Sequence, residues 1–184
     1  KLKQGDGHRP WHDHEIERFR QAWGLGTWER TAFELLLNTA QRGQDVAAMR
    51  RQNITADGWI WCRQEKTREF VQIPIARALQ QALDAWLPHQ PGDALLPGAR
   101  GGAVGVDRFR HRMGDAYAAA GLHGVTTHGI RHTAATILHE LGVDWETIGA
   151  ITGHRGRQMV QHYTRQKRRG AAAIAKLDER NQDK

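Results

Sequence analysis

Residues 127–163 gather the side chains best suited to reaction chemistry: His128, Arg131 and His132 in one run, then Gly153-His154, then His162-Tyr163. An arginine fork binds phosphate oxygens bidentately, an imidazole accepts or donates a proton, and a phenol offers a nucleophilic oxygen. Together these groups can attack a phosphodiester and stabilise the developing charge without a metal ion. A phenol with a pKa of about 10 reacts at neutral pH only beside a base or within a strong positive field. Each residue also has an ordinary alternative. His128 and His132, four apart, could be surface histidines or a metal pair, and Tyr163 could cover a core edge with its ring. The ordered set, His-x-x-Arg, then Gly-His, then Tyr nine residues on, is far harder to obtain by accident.

Helices must position these groups. Thr127 can cap a helix that carries Ile130, Ala134, Ile137, Leu138 and Leu141 at helical spacing and stops at Gly142. His128 and Arg131 then share one face of its first turn, where free backbone N–H groups suit a phosphate. Asp144 can cap a second short helix over 145–151, ended by Gly153, which leaves His154 in a turn. A third segment from about residue 158 carries Tyr163.

Upstream, Asp13 can cap a helix with Ile16, Phe19 and Trp23, stopped by Gly24-Leu25-Gly26. Thr27 opens a longer one whose stripe of Trp28, Ala32, Leu35, Leu36 and Thr39 reads as a central buried helix. It breaks at Gln41-Arg42-Gly43, and a short helix resumes from Gln44. An arginine in that tight turn calls for an anion, because burying an unpaired guanidinium is costly. Asp45, three residues on, is the structural alternative partner. Residues 59–62 and 70–73 switch to strand character and form a hairpin with Arg63, Lys66 and Arg68 near its tip. An amphipathic helix over 75–87, a Pro/Gly-rich loop over 88–105 expected to be the most mobile region, and a helix from Val106 to Ala120 follow. Arg108, Arg110 and Arg112 on that last helix read as an exposed face, with phosphate contacts as the second option. The fold class expected is mainly α with a small antiparallel β-hairpin, α+β.

Composition narrows the partners. A net charge of +7 favours nucleic acid or acidic surfaces. Hydrophobic content of 39% and seven tryptophans indicate a folded chain with a substantial core. No run of about 18 apolar residues marks a membrane span. The lone Cys62 excludes an internal disulfide and a cysteine-rich zinc site and fits a reducing cytoplasm. His8, His12 and His14 invite a metal reading that no carboxylate or cysteine pattern supports. The polar opening without methionine reads as a linker remnant over 1–9, ahead of a catalytic domain over 10–170 and a C-terminal tail over 171–184.

The order and spacing of His128, Arg131, His154 and Tyr163 resemble the second motif block of the tyrosine recombinases, the phage-type integrases. Thr39-Ala40-Gln41-Arg42 with Asp45 is similar to their first block, Ala40 standing where glycine is common. Lys66-Thr67 matches a hairpin Lys-Thr pair that supplies a catalytic lysine. The resemblance spans about residues 10–170. It implies the tyrosine recombinase catalytic-domain fold, with the family's N-terminal core-binding domain absent from this chain. It further implies DNA strand transfer through a 3′-phosphotyrosyl intermediate, with no metal and no cofactor. The catalytic set would be Tyr163, Arg42, Lys66, His128, Arg131 and His154, with Asp45 behind Arg42. Arg63, Thr67, Arg68 and Arg155 would contact DNA. Expected partners are double-stranded DNA, further copies in a tetramer on paired sites, and accessory DNA-bending proteins. There is no membrane partner, and the expected setting is the cytoplasm of a bacterial or phage-infected cell. Rival readings are a type IB topoisomerase, a non-catalytic DNA-binding remnant, and a histidine-rich metal nuclease.

Overall fold

A computed structural model describes residues 8–153, so His154, Arg155, Tyr163 and the segment over 171–177 lie outside the described residues. Its elements are α1 (Asp13–Ala22), α2 (Trp28–Thr39), α3 (Gly43–Ala47), β1 (Trp59–Arg63), β2 (Phe70–Pro74), α4 (Arg77–Trp86), α5 (Val106–Ala119), α6 (Thr127–Glu140) and α7 (Trp145–Thr152). The architecture is helical with one two-stranded antiparallel sheet, as expected.

Helix α2 sits at the centre, packed by α4, α6, α3 and α5. The expected apolar stripe understates its burial, because Thr31, Phe33 and Glu34 are also fully buried. A helix packed over most of its surface must also satisfy its polar groups. Glu34 does so by accepting hydrogen bonds from Arg20 Nε at 2.9 Å, Arg30 Nε at 2.8 Å and Asn38 Nδ2 at 2.8 Å. Trp11, Phe19, Phe33 and Tyr117 form an aromatic cluster joining α1, α2 and α5, with Trp11 and Tyr117 ring centroids 5.1 Å apart.

Several helix starts differ by one residue from the sequence expectation. Thr126, not Thr127, caps α6, accepting from Gly129 N at 3.0 Å. His12, not Asp13, occupies the cap of α1, where Glu15 closes the box on the His12 N–H. Local sequence does not separate Thr126 from Thr127 as caps, and at α1 the Glu15 carboxylate bound to the His12 N–H sets the start. Thr27 and Asp144 cap α2 and α7 as read.

The hairpin pairs Ile60 with Ile73 and Cys62 with Val71, and these four side chains face the core. Trp61 and Phe70 stack on the outer face with centroids 5.6 Å apart. The middle of the 88–105 loop packs into the core. Ala94, Leu95 and Leu96 are buried in the core, Trp86 Nε1 donates to the Leu95 carbonyl at 2.9 Å, and Arg51 Nη2 ties down the Leu87 and Gln90 carbonyls. Apolar Ala94-Leu95-Leu96 inside the Pro/Gly-rich stretch anchors it.

Candidate active site

Two helix ends build the site. Helix α2 closes on Ala40 in the left-handed conformation, φ 54, which turns the chain so that Arg42 caps α3. Helix α7 closes in the same way on Gly153, φ 66. Between these ends lies Arg131, from the first turns of α6 and only 1% exposed. Its Nη1 donates to the Ala40 carbonyl at 2.7 Å and its Nη2 donates to the Thr152 carbonyl. Carbonyls at helix C-termini lack intrahelical partners and carry partial negative charge, so they suit a buried guanidinium and fix its plane. Burial first, and neighbouring Arg42 second, push the Arg131 pKa down to about 10, which still leaves it charged at neutral pH.

Arg42 reaches the same cleft from the N-cap position of α3. Its Nη1 donates to Gln64 Oε1 at 3.0 Å and lies 3.9 Å from Asp45 Oδ2. Asp45 is buried, and its Oδ1 accepts from the Glu65 backbone N–H at 2.9 Å, tying α3 to the hairpin turn. Its hold on Arg42 is therefore an ion-pair attraction without a hydrogen bond, while its fixed partner is the turn bearing Lys66.

His128 is half-buried in the first turn of α6, its ring edge-on to His8 at 4.9 Å and to His132 at 4.7 Å. Burial, then the positive surroundings of His8, Arg131, Arg42 and Lys66, lower its pKa to about 4. It is neutral at pH 7, and the cations around it oppose its protonation until an anion enters the cleft. Arg42, His128 and Arg131 line one cleft of about 510 Å³ together with His8, Arg110 and Tyr117. Two fixed cations and a neutral imidazole around one cavity can receive an anion.

The remaining candidates fall around this cleft. Lys66 is exposed in the hairpin turn, outside the cleft wall but close enough for its charge to act on His128. Arg63 and Arg68 are exposed, Arg68 pairing with Glu65 at 3.1 Å. The Thr67 hydroxyl points inward and donates to Gln64 Oε1 at 2.8 Å. Arg110 lines the cleft while paired with Asp107, and Arg112 instead pairs with Glu29 and lies over the Trp28 ring.

Sequence reasoning gave no role to Gln64, Gln41 or the two carbonyls that hold Arg131, and it weighed His8 only as a metal ligand, whereas His8 lines the cleft beside His128. Gln64 carried a signal, because it continues the inward alternation of Ile60 and Cys62. The carbonyls carried none. Among the described residues no group of three His, Cys, Asp or Glu side chains is disposed to hold a metal ion, and no helix is long and apolar enough to cross a membrane.

Residues 12–169 match the phage integrase family. The chain is similar to tyrosine recombinase XerC of Corynebacterium efficiens, 33% identical over 97 residues covering 50% of this chain and 31% of that protein. It is similar to XerC of Mycobacterium bovis, 30% identical over 149 residues covering 76% of this chain and 50% of that one. It thus spans about a third to a half of the length of these curated relatives. Lambda integrase, solved as a dimer bound to a core site and as a tetramer bound to a Holliday junction, superimposes with a TM-score of 0.69 in either form. Identities are 25% and 24%, over 84% and 86% of this chain and 47% and 51% of those chains.

Proposed function

The chain belongs to the phage integrase family, and we propose that it is the catalytic part of a site-specific DNA recombinase that cuts and rejoins strands through a 3′-phosphotyrosyl link. The observation that carries this reading is the convergence of Arg42 and Arg131, from separate elements, on one cleft with neutral His128 in its wall.

The reaction is a transesterification. The Tyr163 phenol oxygen bonds to phosphorus, the bond from phosphorus to the 5′-oxygen breaks, and the phenolic proton passes to His128. Lys66 donates a proton to the departing 5′-oxygen. Arg42, Arg131 and His154 hold the non-bridging oxygens as negative charge builds there. The covalent link conserves the energy of the broken bond, so a second strand's 5′-hydroxyl reverses the steps without ATP. Fixed guanidinium charge takes the role that metal ions play in other phosphoryl-transfer sites.

The choice of nucleophile has support from the other tyrosine, since the sequence contains two. Tyr117 is buried, its hydroxyl is bonded to Thr127 Oγ1 at 2.9 Å, and burial pushes its pKa further up. A phenol made harder to ionise is a worse nucleophile, which leaves Tyr163.

In the proposed setting, residues 10–170 form the catalytic domain. The full-length protein assembles as a tetramer on paired DNA sites in the bacterial cytoplasm, with accessory DNA-bending proteins. Backbone contacts by Arg63, Arg68 and Arg155 make binding fall steeply with salt. The test is a nicked duplex carrying the element's own attachment site, incubated with chelator. A covalent protein–DNA adduct is expected with the native chain and not with Tyr163→Phe. An adduct formed by Tyr163→Phe refutes the assignment.

A further inference from the structure

Gln64 is fully buried directly after β1, and its amide uses its whole hydrogen-bonding capacity. Oε1 accepts from Arg42 Nη1 at 3.0 Å and from the Thr67 hydroxyl at 2.8 Å. Nε2 donates to Gln41 Oε1 at 2.7 Å and to the Thr152 carbonyl at 3.1 Å. Arg42 can only donate and the Thr152 carbonyl can only accept, so the amide's orientation is determined by its neighbours. Gln41 extends the chain of amides, donating from Nε2 to the Thr39 carbonyl at 2.7 Å and the Ile151 carbonyl at 2.8 Å. The Thr152 carbonyl also accepts from Arg131. One buried amide therefore touches Arg42 directly, Arg131 through a shared acceptor, and the turn bearing Lys66 through Thr67. Gly153 permits this closure, because a Cβ there would run into the Gln64 amide.

We propose that Gln64 is a positioning residue for strand cleavage, holding the Lys66 turn in register with the phosphate clamped by Arg42 and Arg131. The inference rests on the recombinase reading above. A buried amide whose four hydrogen-bonding positions are all filled is held rigidly, and rigidity is what a proton donor on an exposed turn requires. Misplacing a reacting group by about 1 Å can lower a rate about 100-fold.

The test separates acid delivery from general damage. Adduct formation is measured in single turnover on two nicked duplexes, one with the ordinary phosphodiester and one with sulfur in place of the bridging 5′-oxygen. Sulfur leaves as a thiolate and needs no proton from Lys66. Gln64→Ala is expected to lose about 100-fold on the phosphodiester and less than about 10-fold on the sulfur substrate. Equal losses on both substrates, or no loss on either, overturn the proposal. Gln64→Glu covers the case in which the alanine variant does not fold. It keeps both acceptors and the side-chain volume, loses the donation to Gln41 and Thr152, and should show the same selectivity for sulfur. If the native chain forms no adduct on either duplex, the recombinase reading itself fails, a result distinct from the loss of selectivity.

Discussion

Replacing Arg131 with lysine keeps the positive charge and removes the fork, so it separates the field at the cleft from its geometry. In the native chain two guanidinium N–H groups are held by carbonyls at the ends of α2 and α7, which fixes the plane of the group. A lysine ammonium is a point donor on a flexible stem and cannot reach both carbonyls while presenting a planar face to phosphate. Losing one preorganised donor at a developing oxyanion lowers rates about 100- to 1000-fold, or roughly 2.7–4 kcal/mol of transition-state stabilisation. The fold should suffer less. One helix-end carbonyl losing its partner costs about 1 kcal/mol, a fall of about 3 °C in Tm for a chain of this size. Single-turnover adduct formation on a nicked duplex and a thermal melt by circular dichroism measure the two effects. The salt dependence of DNA binding should stay the same, since the charge is conserved. An Arg131→Lys protein within about threefold of the native rate would refute the claim that fixed fork geometry, rather than charge alone, drives the chemistry.

Three further outcomes are expected. Ala40→Gly should stabilise the fold, because the left-handed conformation at φ 54 costs an L-residue about 1–2 kcal/mol and the extra unfolded freedom of glycine offsets only part; a rise of about 2 °C in Tm would show it. Glu34→Gln should lower stability by about 3 kcal/mol, since its fully buried carboxylate holds both Arg20 and Arg30, and urea titration reads this directly. The His128 pKa lies near 4 in the folded chain against an ordinary 6.5, so the unfolded chain binds more protons between these values. Stability is then fully present above about pH 6.5 and falls as the pH drops towards 4. Proton NMR of the His128 ring should give a midpoint near 4, and a midpoint at 6.5 would contradict its burial among cations.

Much of this protein was legible in residue types and spacing. The Thr27 and Asp144 caps, the 3.6-residue periodicity of α2 and α4, and the two-residue alternation of β1 and β2 are local, so their elements could be read directly. Arg42, Lys66, His128 and Arg131 were nameable because three separated blocks keep a recognisable order. The burial of Ala94, Leu95 and Leu96 within the 88–105 loop was not legible, because composition describes turns and not what three apolar residues inside them can reach. The central place of α2 was legible from its stripe, but the burial of Thr31, Phe33 and Glu34 beyond that stripe was not, since a helix cannot register from its own sequence how many others will pack on it.

The sequence alone determined which groups the proposed chemistry can draw on: two arginines, a lysine, histidines and a tyrosine, with no paired cysteines. Only the tertiary structure decided how they are held. The acceptors that fix Arg131 are backbone carbonyls, which every residue possesses and no side-chain pattern announces. They act because Ala40 and Gly153 turn two helix ends towards the same point. Gln64 joins those ends to the hairpin over separations of 23 and 88 residues, and contacts at that range follow from packing, not from local preference.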